Sequence, residues 1–219
     1  MQPYYQDKWV TIYHGDCREV LPQFAVKVDL VLTDPPYGID IAKTGKVGGN
    51  QLASPKQYLA SDWDTARLGS EVLGLFRTTS HNQIIFGGNY VADLLPASRC
   101  WLVWDKDNTG NFADCELAWT SFDKSVKKYL WRWNGMLQEP MSPKDYRYHP
   151  TQKPQGLISL IIADWSEVNQ TILDPFLGSG TTCYCAKKLN RYSIGIEIEE
   201  RYCEIAARRC SQEVMELVA

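Results

Sequence analysis

Two short stretches carry residue types that could do chemistry together. In LTDPPYGI, Leu32 to Ile39, a carboxylate (Asp34), a proline that has no N–H but presents a carbonyl (Pro35), a second proline (Pro36) and a flat ring (Tyr37) follow an apolar run. These groups suit a planar base carrying an exocyclic amine. Asp34 and the Pro35 carbonyl can accept both amino hydrogens while Tyr37 stacks on the base, which turns the nitrogen lone pair toward an electrophile. That arrangement serves methyl transfer rather than redox chemistry. In LDPFLGSGTT, Leu173 to Thr182, Gly178 and Gly180 sit where an apolar strand gives way to a helix. Glycines there let the backbone approach a ligand, and free helix N–H groups can receive a carboxylate or phosphate. Glu197 closes the next strand, seventeen positions after Gly180, where an acidic side chain typically bonds ribose hydroxyls, so the pocket reads as adenosine-like. The third glycine of a dinucleotide fingerprint would fall at Cys183, which argues against a hydride-transfer cofactor.

The chain that must position these corners has 219 residues, 44% of them hydrophobic. That length supports a single well-buried domain over 1–219, with room for a small insertion. Apolar runs alternate with helical periodicity, the pattern of a mostly parallel α/β sheet. The expected strands are 9–14, 28–33, 82–88, 100–106, 115–122, 171–176 and 192–198, and the expected helices 65–78, 89–95, 154–167, 181–190 and 199–216. In the last helix Tyr202, Ile205, Ala206 and Cys210 recur at helical spacing, leaving Arg208 and Arg209 to face elsewhere. Both chemical corners then end strands, at the sheet edge where α/β ligands collect. Residues 39–63, rich in glycine, read as a long mobile loop near that edge. Residues 123–150 mix basic and aromatic side chains and read as an insertion outside the sheet. A net charge of −3 excludes a globally basic nucleic-acid binder, so any polyanion must meet a local patch. The first residues lack the pattern of a signal peptide and no apolar run approaches a bilayer span, so a cytoplasmic chain without membrane contact is expected. Its seven cysteines are expected to be reduced, with no metal centre.

These motifs resemble a known family, the S-adenosylmethionine-dependent amino methyltransferases of DNA, in their permuted β-group. TDPPYG is similar to its catalytic motif, DPFLGSGTT to its cofactor loop, and GIEIEERYCEIAARR to the strand and helix that follow. HPTQKP (149–154) resembles the element before that loop, and GDC (15–17) the N-terminal segment that holds the cofactor adenine. The catalytic corner precedes the cofactor loop, which is the β-group order. The resemblance implies a Rossmann-like methyltransferase fold, with a circularly permuted motif order and seven strands, one of them reversed. It implies that Asp34, Pro35, Pro36 and Tyr37 form the catalytic corner. For the cofactor, S-adenosylmethionine, Asp16 with Cys17 would hold the adenine and Glu197 the ribose. The loop residues Asp174, Phe176, Gly178, Ser179, Gly180, Thr181 and Thr182 would hold the methionine portion, with Lys153 shaping the pocket.

The expected partner is double-stranded DNA, bound by a monomer or a homodimer, with any partner nuclease left open. From Lys124 to Lys153 seven basic residues stand against two acidic ones, interleaved with aromatic rings, which suits phosphate contact and groove insertion. Lys124, Lys127, Lys128, Tyr129, Trp131, Arg132, Trp133 and Arg147 are the candidates for DNA contact, with Lys43 and Lys46 in the loop. A stacked base cannot reach the corner, so the target must be flipped out. An aspartate at position 34 is typical, within the resembled family, of N6-adenine enzymes. N4-cytosine methylation, RNA or protein-amide methylation, and a catalytically silent DNA-binding module are the alternatives.

Overall fold

The structure, a computed structural model, describes residues 1–38, 46–47, 56–57, 67–107, 113–134, 137–139, 145–146, 148 and 151–212. Nine strands form its main sheet: β1 (Tyr5–Gln6), β2 (Val10–His14), β3 (Val28–Thr33), β4 (Ser80–Phe86), β5 (Trp101–Asp105), β6 (Cys115–Thr120), β7 (Lys127–Leu130), β8 (Thr171–Asp174) and β9 (Tyr192–Glu197). Across the sheet they run β1-β2-β9-β8-β3-β4-β6-β5-β7. The five strands from β2 to β4 are mutually parallel, β6 runs against both its neighbours, and β5 returns to the common direction. That seven-stranded body with one reversed strand matches the fold implied by the motifs. The sheet is wider by one strand at each edge, however. β1 pairs antiparallel with β2, and β7 pairs parallel with β5.

Apolar strand runs are explained by burial on both faces, since successive side chains point to opposite layers. Leu30 and Leu32 of β3, Ile84 and Phe86 of β4 and Ile172 of β8 pack with helix α3 (Gln155–Trp165). Val31, Ile85 and Leu173 turn the other way, toward helix α2 (Ser70–Thr79) and the short helix α1 (Cys17–Val20). A third cluster joins Val10 and Ile12 of β2 to helices α4 (Thr181–Lys188) and α5 (Glu200–Ser211). Segment 89–95 holds only a short 3₁₀ turn, Gly88–Val91. All seven cysteines are free thiols, and only Cys115 is exposed.

Segment 123–150 departs from the expected insertion, because Lys127–Leu130 is the edge strand β7 of the main sheet. Its side chains alternate, with Tyr129 buried and Lys128 and Leu130 outside. The small ladder of Trp133–Asn134 with Leu137–Gln138 follows it. Within the 39–63 segment, Lys46–Val47 pairs with Lys56–Gln57; the rest of that segment lies outside the described residues.

Candidate active site

Strand register brings the chemical corners together. Val31 of β3 lies beside Leu173 of β8, Asp174 beside Gly195 of β9, and Glu197 beside His14 of β2. Four strands thus present their carboxyl ends side by side, with Asp34, Asp174, Glu197 and Asp16 just beyond or at the last rung. Thr33 Oγ1 donates to Asp174 Oδ1 at 2.8 Å, a buried bond that ties the two corners directly. Between them opens a cavity of about 510 Å³, within the range of small-molecule sites.

The glycine loop is shaped as a ligand cradle. Gly178 and Gly180 have φ of +52° and +81°, the left-handed region that glycine adopts without steric penalty. A side chain on Gly180 would also meet Ala206 of α5 at 2.7 Å, so α4 begins at closest approach to its neighbour. The Glu197 carboxylate accepts from Gly178 N at 2.7 Å and Glu199 N at 2.8 Å. Burial raises its pKa, against the pull of those two N–H groups. Burial also lifts the Asp174 carboxyl to about 6, opposed by the Thr182 and Thr33 hydroxyls and the Phe176 N–H. Asp16 caps α1, and the Arg18 side chain chelates it, which holds its carboxyl below the usual range.

Asp34 sits in a dense polar cluster. Its Oδ1 accepts from the Tyr37 hydroxyl and its Oδ2 from Lys153 Nζ, each at 2.5 Å. Lys153 Nζ also lies 3.2 Å from Glu116 Oε2, whose Oε1 meets Lys106 at 2.6 Å. Removal from water raises the Asp34 carboxyl, with the Lys153 ammonium opposing. Burial works against that ammonium, but Asp34 and Glu116 outweigh it and hold its pKa above the ordinary value. The Tyr37 ring stacks on Tyr90 at 4.8 Å, and Gly87, at φ +66°, leaves space where a side chain would strike that ring.

Of the residues expected at the site, Asp16, Cys17, Asp34, Pro36, Lys153, Asp174, Phe176, Gly178, Ser179, Thr181, Thr182 and Glu197 line the cavity. Pro35, Tyr37 and Gly180 are not among its lining residues. Arg18, Arg67, Glu71 and Gln152 also line it and were not legible as site residues. Gln152 is a strut, accepting from Ser179 Oγ at 3.0 Å. Arg209, expected on the outer face of the last helix, is buried instead; its guanidinium donates to the Ser179 carbonyl at 2.5 Å from behind the loop.

The basic segment is more neutral than its composition. Lys127 pairs with Asp164 at 2.6 Å, Lys128 with Asp105 at 3.2 Å, and Arg132 with Asp107. Lys124 lies over the Trp165 ring at 4.8 Å. Tyr129 is removed from the DNA-facing candidates, because it is buried and its hydroxyl bonds Asp164 and Trp165. Trp131 and Trp133 are half-buried against the core. Lys43 and Arg147, and the side chain of Lys46, lie outside the described residues.

Known proteins agree with this geometry. A family model described as DNA methylase, of the N6 and N4 methyltransferases, matches residues 102–208. The chain is similar to the type II methyltransferase M2.DpnII of Streptococcus pneumoniae, 27% identical over 97% of this chain and 93% of that protein. It is likewise similar to the type II methyltransferase M.ScaI of Streptomyces caespitosus, 28% identical over 99% and 86%. Among solved structures, the M1.HpyAVI complex with SAM aligns with a TM-score of 0.59 at 25% identity, over 92% of this chain and all of that one. The cytosine-N4-specific PvuII DNA methyltransferase shares the fold, with a TM-score of 0.64 at 17% identity over 98% and 91%. The topology is that of a Rossmann-like methyltransferase fold. The chain is thus similar to DNA methyltransferases in fold and, over residues 102–208, to the family model of the N6 and N4 enzymes. Among the described residues no helix is long and apolar enough to cross a membrane.

Proposed function

We propose that the protein methylates the N6 amine of a flipped-out adenine at a defined site in double-stranded DNA. The observation that carries this reading is the Thr33–Asp174 bond, which sets the catalytic corner and the cofactor-type loop against one cavity. The aspartate at position 34 favours adenine over cytosine, as in the family the sequence resembles.

The residues fit the cofactor. The Gly178 and Gly180 backbone, too close to α5 at Gly180 to carry a side chain, leaves an open cradle, and Glu197 and Asp16 supply carboxylates at the far wall. In this reading Asp16 and Cys17 hold the adenine, Glu197 the ribose, and the 174–182 loop the methionine portion. When bound, S-adenosylmethionine supplies an electrophilic methyl group. The chain has only to bring an amine into line with it, so orientation does most of the work. Asp34 and the Pro35 carbonyl accept the two amino hydrogens, which favours a more pyramidal, more nucleophilic nitrogen as attack proceeds. Asp34 acts as orienter and charge stabiliser, and the proton leaves after methylation to Asp34 or water. Tyr37 stacks on the flipped base and offsets part of the few kcal/mol of unstacking. Exposed Lys124, Lys127, Lys128 and Arg132, with Trp131, Trp133, Arg147, Lys43 and Lys46, are the candidates for contact with the duplex. The type II relatives suggest a modification enzyme paired with a restriction nuclease.

The test is tritiated cofactor with unmethylated DNA, followed by nucleoside analysis and methylation-sensitive sequencing. N6-methyladenine at one recurrent sequence is expected. N4-methylcytosine as the product would overturn the adenine assignment, and label confined to RNA or protein would overturn the substrate class.

A further inference from the structure

Every polar atom that the target amine needs at Asp34 is already engaged. Oδ1 holds the Tyr37 hydroxyl and Oδ2 holds the Lys153 ammonium. A charge-assisted hydrogen bond is roughly twice as strong as a neutral one, so a neutral arylamine cannot displace that ammonium unaided. Beside it stands Glu116, from a different strand. Its Oε2 is shut off from water and receives no well-directed hydrogen bond among the described residues. Lys153 Nζ nevertheless lies only 3.2 Å away. Lys106 holds the other oxygen at 2.6 Å, so the carboxylate is fixed with its open oxygen toward Lys153.

We propose that Glu116 is a positioning residue, which takes the Lys153 ammonium from Asp34 when the target amine enters and so frees Asp34 Oδ2 as its acceptor. This rests on the reading of Asp34 as the acceptor for that amine. No proton moves in the exchange. Lys106, Glu116, Lys153 and Asp34 alternate in sign through successive contacts, and a short swing of Nζ keeps every buried charge partnered, where outright release would strand one. The groups that face the pair are Asp34 and Tyr37 from the 34–37 corner, Lys106 just after β5, Glu116 from β6, Asp174 from β8, and Tyr90 through Tyr37. The contact between Glu116 and Lys153 joins residues far apart in the chain, and neither position belongs to a motif that names the other.

The experiment compares the full chain with Glu116→Gln, Glu116→Asp, Lys153→Met and the Gln/Met double variant. Methyl transfer to unmethylated genomic DNA is measured from pH 6 to 10, cofactor affinity by calorimetry, and folding by thermal melts. Glu116→Gln should leave cofactor affinity within about threefold while lowering kcat on the order of 10- to 100-fold at pH 7. Removing one of its two carboxylates lowers the Lys153 pKa, so activity of the variant should climb toward wild type as alkaline pH discharges the lysine. A merely structural defect has no reason to do this. In the Lys153→Met background the Glu116 change should add no further loss. If Glu116→Gln does not fold, Glu116→Asp, which keeps the charge but falls short of Lys153, should show the same loss of kcat at pH 7 with cofactor affinity retained. A wild-type pH profile in Glu116→Gln, a wild-type kcat in Glu116→Asp where only that variant folds, or losses that multiply in the double variant overturn the proposal while leaving the methyltransferase reading intact. A wild-type chain that labels no DNA amine at any pH overturns that reading, and the proposal with it.

Discussion

In the proposed reaction Asp34 belongs to two circuits, the internal one through Lys153 and the external one through the target amine. Asp34→Ala should lower methyl transfer by on the order of 10²- to 10³-fold, the size of loss seen when one preorganised electrostatic group is removed. Cofactor affinity, measured by calorimetry, should stay close to wild type, and a matching collapse of affinity would place Asp34 in the cofactor site. Glu197→Gln should behave in the opposite way. Its carboxylate organises Gly178 N and Glu199 N, so its loss should weaken cofactor binding by roughly 1 to 3 kcal/mol. Asp174 predicts a pH effect. Its carboxyl titrates near 6 in the folded chain against 3.8 for an ordinary aspartate. A raised pKa favours the protonated fold, so this support is complete below about pH 4 and is lost as pH rises through about 6. Melts of wild type and Asp174→Asn should therefore diverge between pH 4 and 6, the variant gaining up to about 3 kcal/mol relative to wild type at pH 7. Curves that stay parallel would mean Asp174 is ionised throughout.

Strands and helices were legible where burial is two-sided. Val28–Thr33 and Tyr192–Glu197 read directly, because short apolar-rich runs that lead into Asp34 or end in Glu197 leave little else to build. The edges were not legible. In β7 only Tyr129 of Lys127–Leu130 is buried, and a strand with one covered side chain looks like a surface loop in sequence. The same misreading made Lys127, Lys128 and Arg132 look like free cations, since their partners Asp164, Asp105 and Asp107 come from other elements. Most of the glycine loop at the cavity could be read from its glycines, whereas Arg18, Arg67, Glu71, Gln152 and Glu116 carry no spacing signal and reach the site only through the fold. Replacing Lys127, Lys128 and Arg132 by alanine should consequently reduce the salt slope of DNA binding by less than the full unit per contact expected of unpaired cations. A loss near three units, in binding titrations from low to moderate salt, would show that the pairs open onto phosphates. Packing at the same edge is tight. A Cβ on Gly156 would fall 2.0 Å from the Trp131 ring, so Gly156→Ala should destabilise the chain by about 1 to 3 kcal/mol in denaturant titrations.

At the scale of the whole molecule, the cavity has no local owner. Its wall draws on Gly15–Arg18, on the 32–36 corner, on 67–72, on 151–153 and on segments from 174 to 202. A ligand bound there stabilises the entire assembly, by about 2.7 kcal/mol at one hundred times its dissociation constant. Saturating S-adenosylmethionine should therefore raise the melting temperature in a single cooperative transition, and a partial transition would mark a separable unit. The pairing of β2 with β9, His14 beside Glu197, also has a consequence for synthesis on the ribosome. Translation at about 5–20 residues per second leaves β2 waiting roughly 10 to 40 s for the strand that covers it. Through that interval Val10 and Ile12 of β2 lack the helices α4 and α5 that cover them and are exposed to other nascent chains. The interleaved order of this chain thus fixes a window of dependence on chaperones, which a rearranged gene placing residues 171–212 ahead of residue 1 would shorten.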